Sequence, residues 1–361
     1  MTIDRLMVVH PGADWSVADV FSGMVDGLVA NGVTVLPFQF ANRLRVINNA
    51  LSLAWQERGA TPEERGQKPS YADSCCWVSE QAVTWALRHL PQGSWVIVVT
   101  GMYFHPDAYA MLRKAGYKIG MLLTESPYEV DKEIQYAALA DKVWTNERSS
   151  VDQLREGNPT TTYLQHAYNP FMHTRKNPYF LTEMAKLPRH DVAFVGTGFT
   201  DRIELLEQVD WTGIDLGIYG TPWEVAEGSP LSPHIHLGVM PNARASAMYQ
   251  VTKINLNLFR WTKGFSGFGR LEDRPHSLNP RLYELAAMGC FTVSEYRPEV
   301  EEIFGQDIPM FGTSAELQAM LHRYLADDDA RQALAARLPQ HVTEHTWVHR
   351  AAQMLRELEA L

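Results

Sequence analysis

Cysteine is scarce, with three in 361 residues, so a disulfide framework is excluded. Two of the three, Cys75 and Cys76, are adjacent, where a bridge between them would be strained. The third, Cys290, falls in a stretch that reads as a buried strand. No Cys/His spacing resembles a metal site. The thirteen histidines are scattered, and His234 and His236, which alternate as on one face of a strand, are assigned a structural role. No apolar run reaches the roughly 18 residues that a membrane span requires. The opening Met1-Thr-Ile-Asp-Arg5 has no long apolar segment and no small-residue cleavage site, so a cytoplasmic location is expected. Excess positive charge is also lacking. The net charge of −10 argues against a broad nucleic-acid-binding surface, although it leaves room for a local basic site.

What is present is an ordinary globular composition, 45% hydrophobic and 20% charged, in a chain long enough for two domains of about 170 residues each. Short apolar strands alternate with helical stretches, which predicts βαβ units and parallel sheets. In the first half the strands are expected at Leu6–His10, Thr34–Phe40, Trp95–Gly101, Lys118–Glu125, Lys142–Asn146 and Thr162–Gln165. Between the second and third lies a mostly helical insertion, about 42–90, whose polar middle, 58–71, reads as a mobile surface loop. A break rich in X-Pro pairs follows at 168–190. The pattern then restarts at Asp191–Val195, Asp215–Tyr219, Lys253–Leu258, Phe291–Glu295 and Ile308–Phe311. The fold class is therefore α/β, with two doubly wound, Rossmann-like domains, 1–180 and 181–347, expected to face each other across a cleft. The final helix, 348–361, is expected to pack back on the first domain.

In such sheets ligands bind beyond the carboxyl ends of the strands. The strongest chemical signal there is Ser277-Leu-Asn-Pro-Arg-Leu-Tyr-Glu284 running on to Gly289. Asn279 suits an N-cap, Pro280 the first helical position and Gly289 the terminator. Arg281 at the positive end of that helix makes an anion site, and Glu284 one turn on can accept two hydrogen bonds from a ribose diol. The plainer alternative is an i,i+3 ion pair on a solvated helix. Upstream, five basic residues from Arg260 to Arg281, Lys263 among them, stand against two acidic ones, with Gly264, Gly267 and Gly269 interleaved. A cationic glycine loop after a strand suits closing on a diphosphate. The second domain opens with Phe194-Val-Gly196-Thr197-Gly198-Phe-Thr-Asp-Arg202, where glycines after a strand let backbone approach a phosphate. Asp201 replaces the third glycine of a dinucleotide fingerprint.

The Gly196-Thr-Gly198 turn with Arg202, the Lys253–Leu258 strand, Asn279-x-Arg281-x-x-Glu284 and the closing His345-Thr-Trp-Val-His-Arg350 resemble the CgeB/spore-maturation type of GT-B glycosyltransferase (glycosyl transferases group 1-like), over about 191–355. The resemblance implies a metal-independent hexosyltransferase-like enzyme with no tightly bound cofactor. Its donor would be a nucleotide-diphosphate sugar, a UDP-sugar foremost. Glu284 would then meet the ribose and Arg281 the diphosphate. The Gly196–Gly198 turn would lie by the pyrophosphate or the reacting sugar, and Tyr219 with Gly220 would approach the base. In related retaining enzymes a Glu stands eight positions before the ribose Glu; His276 occupies that position here.

The first domain is expected to hold the acceptor, with Glu125 after the fourth strand, or Asp14 after the first, as the catalytic base. The acceptor classes left open are a glycan, a protein, a small metabolite and a modified DNA base. The last would use Arg43, Arg45, Arg58, Arg65 and Lys68 of the insertion. The alternatives are a non-catalytic two-domain nucleotide- or sugar-binding protein and an NAD- or epimerase-type enzyme. For the latter, Asp215 stands near the place of the acidic ribose ligand.

Overall fold

The computed structural model describes residues 3–10, 17–175, 177–236, 238–261 and 275–361. Asp14 and Lys263, with the glycines of the cationic segment, lie outside the described residues.

The chain divides into two compact units, Met1–Gln165 with Trp347–Leu361, and His166–Thr346. The boundary thus falls at 165/166 rather than near 180. The residues between pack with the second unit because Phe180 and Leu187 are buried in its apolar core beside Met248 and Leu285.

The first unit carries β1 (Arg5–Val9), β2 (Thr34–Phe38), β3 (Trp95–Val99), β4 (Lys118–Leu123), β5 (Lys142–Thr145) and β6 (Thr162–Tyr163). They form one parallel sheet in the order β2-β1-β3-β4-β5-β6. All five residues of β3 are buried, as expected of a strand with helices on both faces. The insertion folds as helices Phe40–Gln56 and Tyr71–His89. The segment between them is organised: Thr61 and Glu64 form a capping box over Pro62–Arg65, and the Trp55 indole donates to the Gly66 carbonyl. The final helix, Trp347–Glu359, lies on helix Ala18–Ala30, where Gly23 and Gly27 make room for it. A Cβ at Gly23 would stand 2.1 Å from the Trp347 ring, and one at Gly27 2.2 Å from the Trp347 carbonyl oxygen. Glu357 then ties the helix to the sheet, accepting from Lys142 Nζ (2.7 Å), Trp144 Nε1 (2.9 Å) and Thr162 Oγ1 (2.7 Å).

The second unit carries β7 (Val192–Val195), β8 (Leu216–Tyr219), β9 (Ile235–His236), β10 (Ile254–Asn257), β11 (Thr292–Glu295) and β12 (Met310–Phe311). Its parallel order, β12-β11-β10-β7-β8-β9, is the arrangement of two mononucleotide-binding halves. The switch point falls between β7 and β10. Strand β9 was not in the expected strand series, although the alternation of His234 and His236 pointed to a strand there; it is two residues long, with His234 in the preceding turn of 3-10 helix.

Candidate donor-binding site

The carboxyl ends of β7 and β10 are stitched together by Arg202. Its guanidinium donates to the carbonyls of Thr197 (2.9 Å), Leu258 (3.0 Å) and Phe259 (3.1 Å). Arg202 therefore stands beside the glycine turn, as a brace of the switch point. The turn itself is packed tightly. Gly196 N–H donates to the Tyr219 carbonyl (2.8 Å) and Gly198 N–H to the Pro222 carbonyl (2.9 Å). Two amides of the expected phosphate cradle are thus directed at protein carbonyls. What the missing side chains provide is room: a Cβ at Gly196 would lie 3.0 Å from Arg281 Nη2, and one at Gly198 2.6 Å from the Trp223 ring.

Helix Pro280–Ala287 begins as its sequence specifies. Asn279 Oδ1 accepts the Leu282 N–H (3.2 Å), and Gly289, at φ +61°, ends it. Asn279 Nδ2 donates to Asn257 Oδ1 (2.8 Å), and Asn257 in turn donates to Ser294 Oγ (2.9 Å). Arg281 Nη1 reaches the same Asn257 oxygen at 3.5 Å, and its guanidinium carbon lies 5.2 Å from the centre of the Phe194 ring. So Arg281 turns toward the glycine turn and not onto Glu284 as a surface ion pair. Its Nε is buried without a hydrogen-bond partner, an arrangement that suits an anion arriving from outside the chain. Asn257 was missed as a site residue. The signal was there, since polar Asn255 and Asn257 interrupt an apolar strand whose residues are all buried.

Glu284 is 9% exposed, and burial pushes its carboxyl up to about 7 against the opposing pull of Arg281. His173, buried and not foreseen, places Nε2 4.0 Å from Glu284 Oε1. The other expected residues are turned elsewhere. His276 Nε2 lies 2.9 Å from Glu302 Oε1. Tyr219 gives its carbonyl to the turn, but its hydroxyl bonds His190 Nε2 (2.7 Å) and its ring stacks on His236 at 4.5 Å. Asp215 bonds His190 Nδ1 at 3.0 Å. Trp261 N–H donates to Asp201 (3.0 Å) and its indole to Glu295 (3.1 Å). Arg297 bonds the carbonyls of Arg260 (3.3 Å) and Ser277 (2.8 Å), on either side of the basic segment.

In the first unit, the carboxyl edge brings Thr100 and Glu125 to adjacent strands. Thr100 is buried at φ +64°, a strained setting for a β-branched residue, with its hydroxyl 2.7 Å from that of Thr124. The half-buried Glu125 is followed by a turn held by Glu133, a residue the sequence did not single out. Glu133 accepts from Glu125 N–H (2.9 Å) and from the Ser126 hydroxyl. Glu133 is fully buried, which pushes its carboxyl up to about 8.

With this geometry in place, likeness to known proteins becomes informative. Residues 180–356 match the family model described as glycosyl transferase-like. That match spans the whole candidate site except His173. No curated protein sequence matches the chain. Among solved structures, sucrose-phosphate synthase from Thermosynechococcus elongatus is similar at TM-score 0.65 and 12% identity, covering 99% of each chain. A trehalose-6-phosphate structure from E. coli, bound with UDP-2-fluoro glucose, is similar at 0.59 and 11%, again over 99% of each. An α,α-trehalose-phosphate synthase (UDP-forming) from Burkholderia vietnamiensis is similar at 0.59 and 12%, over 99% of this chain and 98% of that one. These likenesses establish the two-domain α/β fold of GT-B proteins. Among the described residues no helix is long and apolar enough to cross a membrane.

Proposed function

We propose that this protein transfers a sugar from a nucleotide-diphosphate sugar to an acceptor hydroxyl without a metal ion. The observation that carries the reading is the Arg281 guanidinium, oriented by Asn257 and Phe194 with Nε unpartnered, one helical turn before a buried glutamate. Arg281 and the helix N-terminus meet the diphosphate and stabilise the charge that grows on it as the glycosidic bond breaks. Glu284 accepts hydrogen bonds from the ribose hydroxyls. A UDP-sugar is the foremost donor, since the E. coli neighbour is titled as bound with UDP-2-fluoro glucose and the Burkholderia one as UDP-forming. Glu125 is the candidate base for the acceptor hydroxyl in a displacement with inversion. With retention, the departing diphosphate takes that proton and Glu125 is dispensable. The CgeB/spore-maturation type and a hexosyl group remain the finer parts of this proposal, as does an acceptor that is a glycan, a protein, a metabolite or a modified DNA base.

The test is a thermal-shift screen of the full chain against UDP, GDP, ADP and TDP and their sugar forms, with Glu284→Ala alongside and EDTA present throughout. One nucleotide stabilising the wild type but not the variant identifies the donor base. No shift with any of them, on a folded protein, defeats the donor site.

A further inference from the structure

Thr100 is the only residue other than glycine at positive φ among the described residues. At +64° a β-branched side chain is strained, where glycine or asparagine would sit at ease. Its place is also particular. Thr100 follows β3, and the switch point of the first sheet falls between β1 and β3, where α/β sheets receive ligands. The surrounding chain enforces the conformation. Thr100 N–H donates to the Leu122 carbonyl (2.6 Å), and the buried Tyr109 hydroxyl donates to that of Gly101 (3.0 Å). Strain kept in this way at a ligand edge calls for a function of the side chain itself.

Thr100 is 1% exposed, and its Oγ1 meets Thr124 Oγ1 at 2.7 Å. A buried hydroxyl must place its proton on an acceptor, and Thr124 Oγ1 is the one its side chain has among the described residues, so Thr100 donates. Thr124 then keeps its own proton for another acceptor, and it is half-buried rather than enclosed. Next in the chain stands the half-buried Glu125, on a turn closed by Glu133. A hydroxyl donor beside a carboxylate suits a ligand hydroxyl, which accepts from one and donates to the other. Tyr103 adds a ring close by: after burial, Glu125 does most to push its phenol upward, and Tyr71, 47% exposed, packs edge-on against it at 6.4 Å. Such rings cover apolar C–H surface while their hydroxyls stay polar. Glu129 shares the turn, its N–H donating to the Glu125 carbonyl (3.1 Å), so a phosphate-bearing ligand would meet two carboxylates.

We propose that Thr124 contacts the acceptor, that Thr100 is the positioning residue that sets its hydroxyl, and that the acceptor is an uncharged polyol of the saccharide class. The inference rests on the transferase reading above, and its test separates the two. Turnover of the donor that the thermal screen identifies is measured with methyl glucoside, galactoside and mannoside, glucose 6-phosphate, a serine- and threonine-bearing peptide and a hydroxymethylcytosine oligonucleotide. A neutral glycoside is expected to serve. Thr124→Val then raises the acceptor KM about tenfold, the scale of one hydrogen bond, with the donor KM within about twofold, and Thr124→Ser restores it. Thr100→Gly, which relieves the strain, melts no lower than wild type yet raises the acceptor KM severalfold. A glycine variant that melts lower, or that keeps the wild-type acceptor KM, overturns the positioning role. An acceptor KM unchanged in Thr124→Val overturns the contact, and stimulation by none of the glycosides overturns the neutral polyol. If no donor is turned over at all, saturation-transfer NMR of the three glycosides on wild type and Thr124→Val decides. A signal lost in the variant keeps the polyol site while the transferase reading falls; no signal, or equal signals, sinks both.

Discussion

Each unit holds a buried glutamate on a helix, Glu133 on Val130–Ala137 and Glu284 on Pro280–Ala287, and the two are set in different surroundings. In the first unit Glu133 accepts the Glu125 N–H and the Ser126 hydroxyl, with the acidic Glu125 and Glu129 nearby, and its carboxyl is pushed up to about 8. In the second, Glu284 faces a histidine and lies near an arginine, and its carboxyl rises only to about 7. A carboxylate whose oxygens receive its own loop's donors holds a turn. One that receives no donor from its own loop and lies near an arginine is open to donors from a ligand. Burial is common to both; the partners tell them apart.

The sharpest way to break this comparison is at the cation. Arg281→Ala is expected to lower donor turnover by about 10²–10³-fold, the loss typical of removing one preorganised donor to a developing anion. Hydrolysis of the donor sugar without acceptor measures it, and a change confined to KM would move Arg281 from chemistry to binding. Next comes Glu284→Ala, expected to weaken the nucleotide roughly 10- to 100-fold. Glu133→Ala should instead leave nucleotide affinity within about twofold while destabilising the first unit by about 1–3 kcal/mol, the cost of leaving its two donors unsatisfied. Equal losses of affinity from both alanine variants would erase the distinction.

Smaller, but specific to Glu284, is the effect of pH on binding. Ribose hydroxyls donate to the ionised carboxylate, so affinity should rise as pH increases through about 7, where Glu284 loses its proton, and then level off. Glu284→Gln should flatten that limb in calorimetric titrations at pH 5.5 to 8.5. A limb that persists in the variant would assign the titration to another group.

How far the sequence revealed this depends on whether a feature is local. Continuous apolar runs between helical segments announced the parallel sheets, and the Asn279-Pro-Arg motif with Gly289 announced a capped helix, because caps and strand patterns act over a few neighbouring residues. The glycine turn was visible, but its meaning was not. Only in three dimensions does Gly196 prove to lie against Arg281, with its own amide directed at Tyr219. His173 and Glu133 were hidden for the same reason. Each is buried beside groups that its sequence neighbours do not signal, Glu284 lying 111 positions beyond His173. His276 and Tyr219 were picked out by position, and their bonds to Glu302 and His190 were not visible from it.

The last effect expected concerns stability, and it tests the Glu133 half of the comparison by itself. With a folded-state value of about 8 against 4.5 for an ordinary glutamate, the folded chain holds a proton that the unfolded chain has released over that interval. Stability must then fall as pH rises from about 5 through about 8, since the native state binds more protons there. Glu133→Gln removes the titration while keeping an acceptor for the Glu125 N–H. At pH 5, just above the 4.5 of an ordinary glutamate, the two proteins should melt within a few degrees of each other, roughly the shift of a 1 kcal/mol difference in a domain of this size. From there to about pH 8 the variant should become steadily the more stable of the two, the difference levelling off above pH 8, and scanning calorimetry from pH 5 to 9 reads the divergence. Parallel curves would mean that Glu133 keeps its charge in the fold, and the two buried glutamates would then differ less in kind than in neighbours.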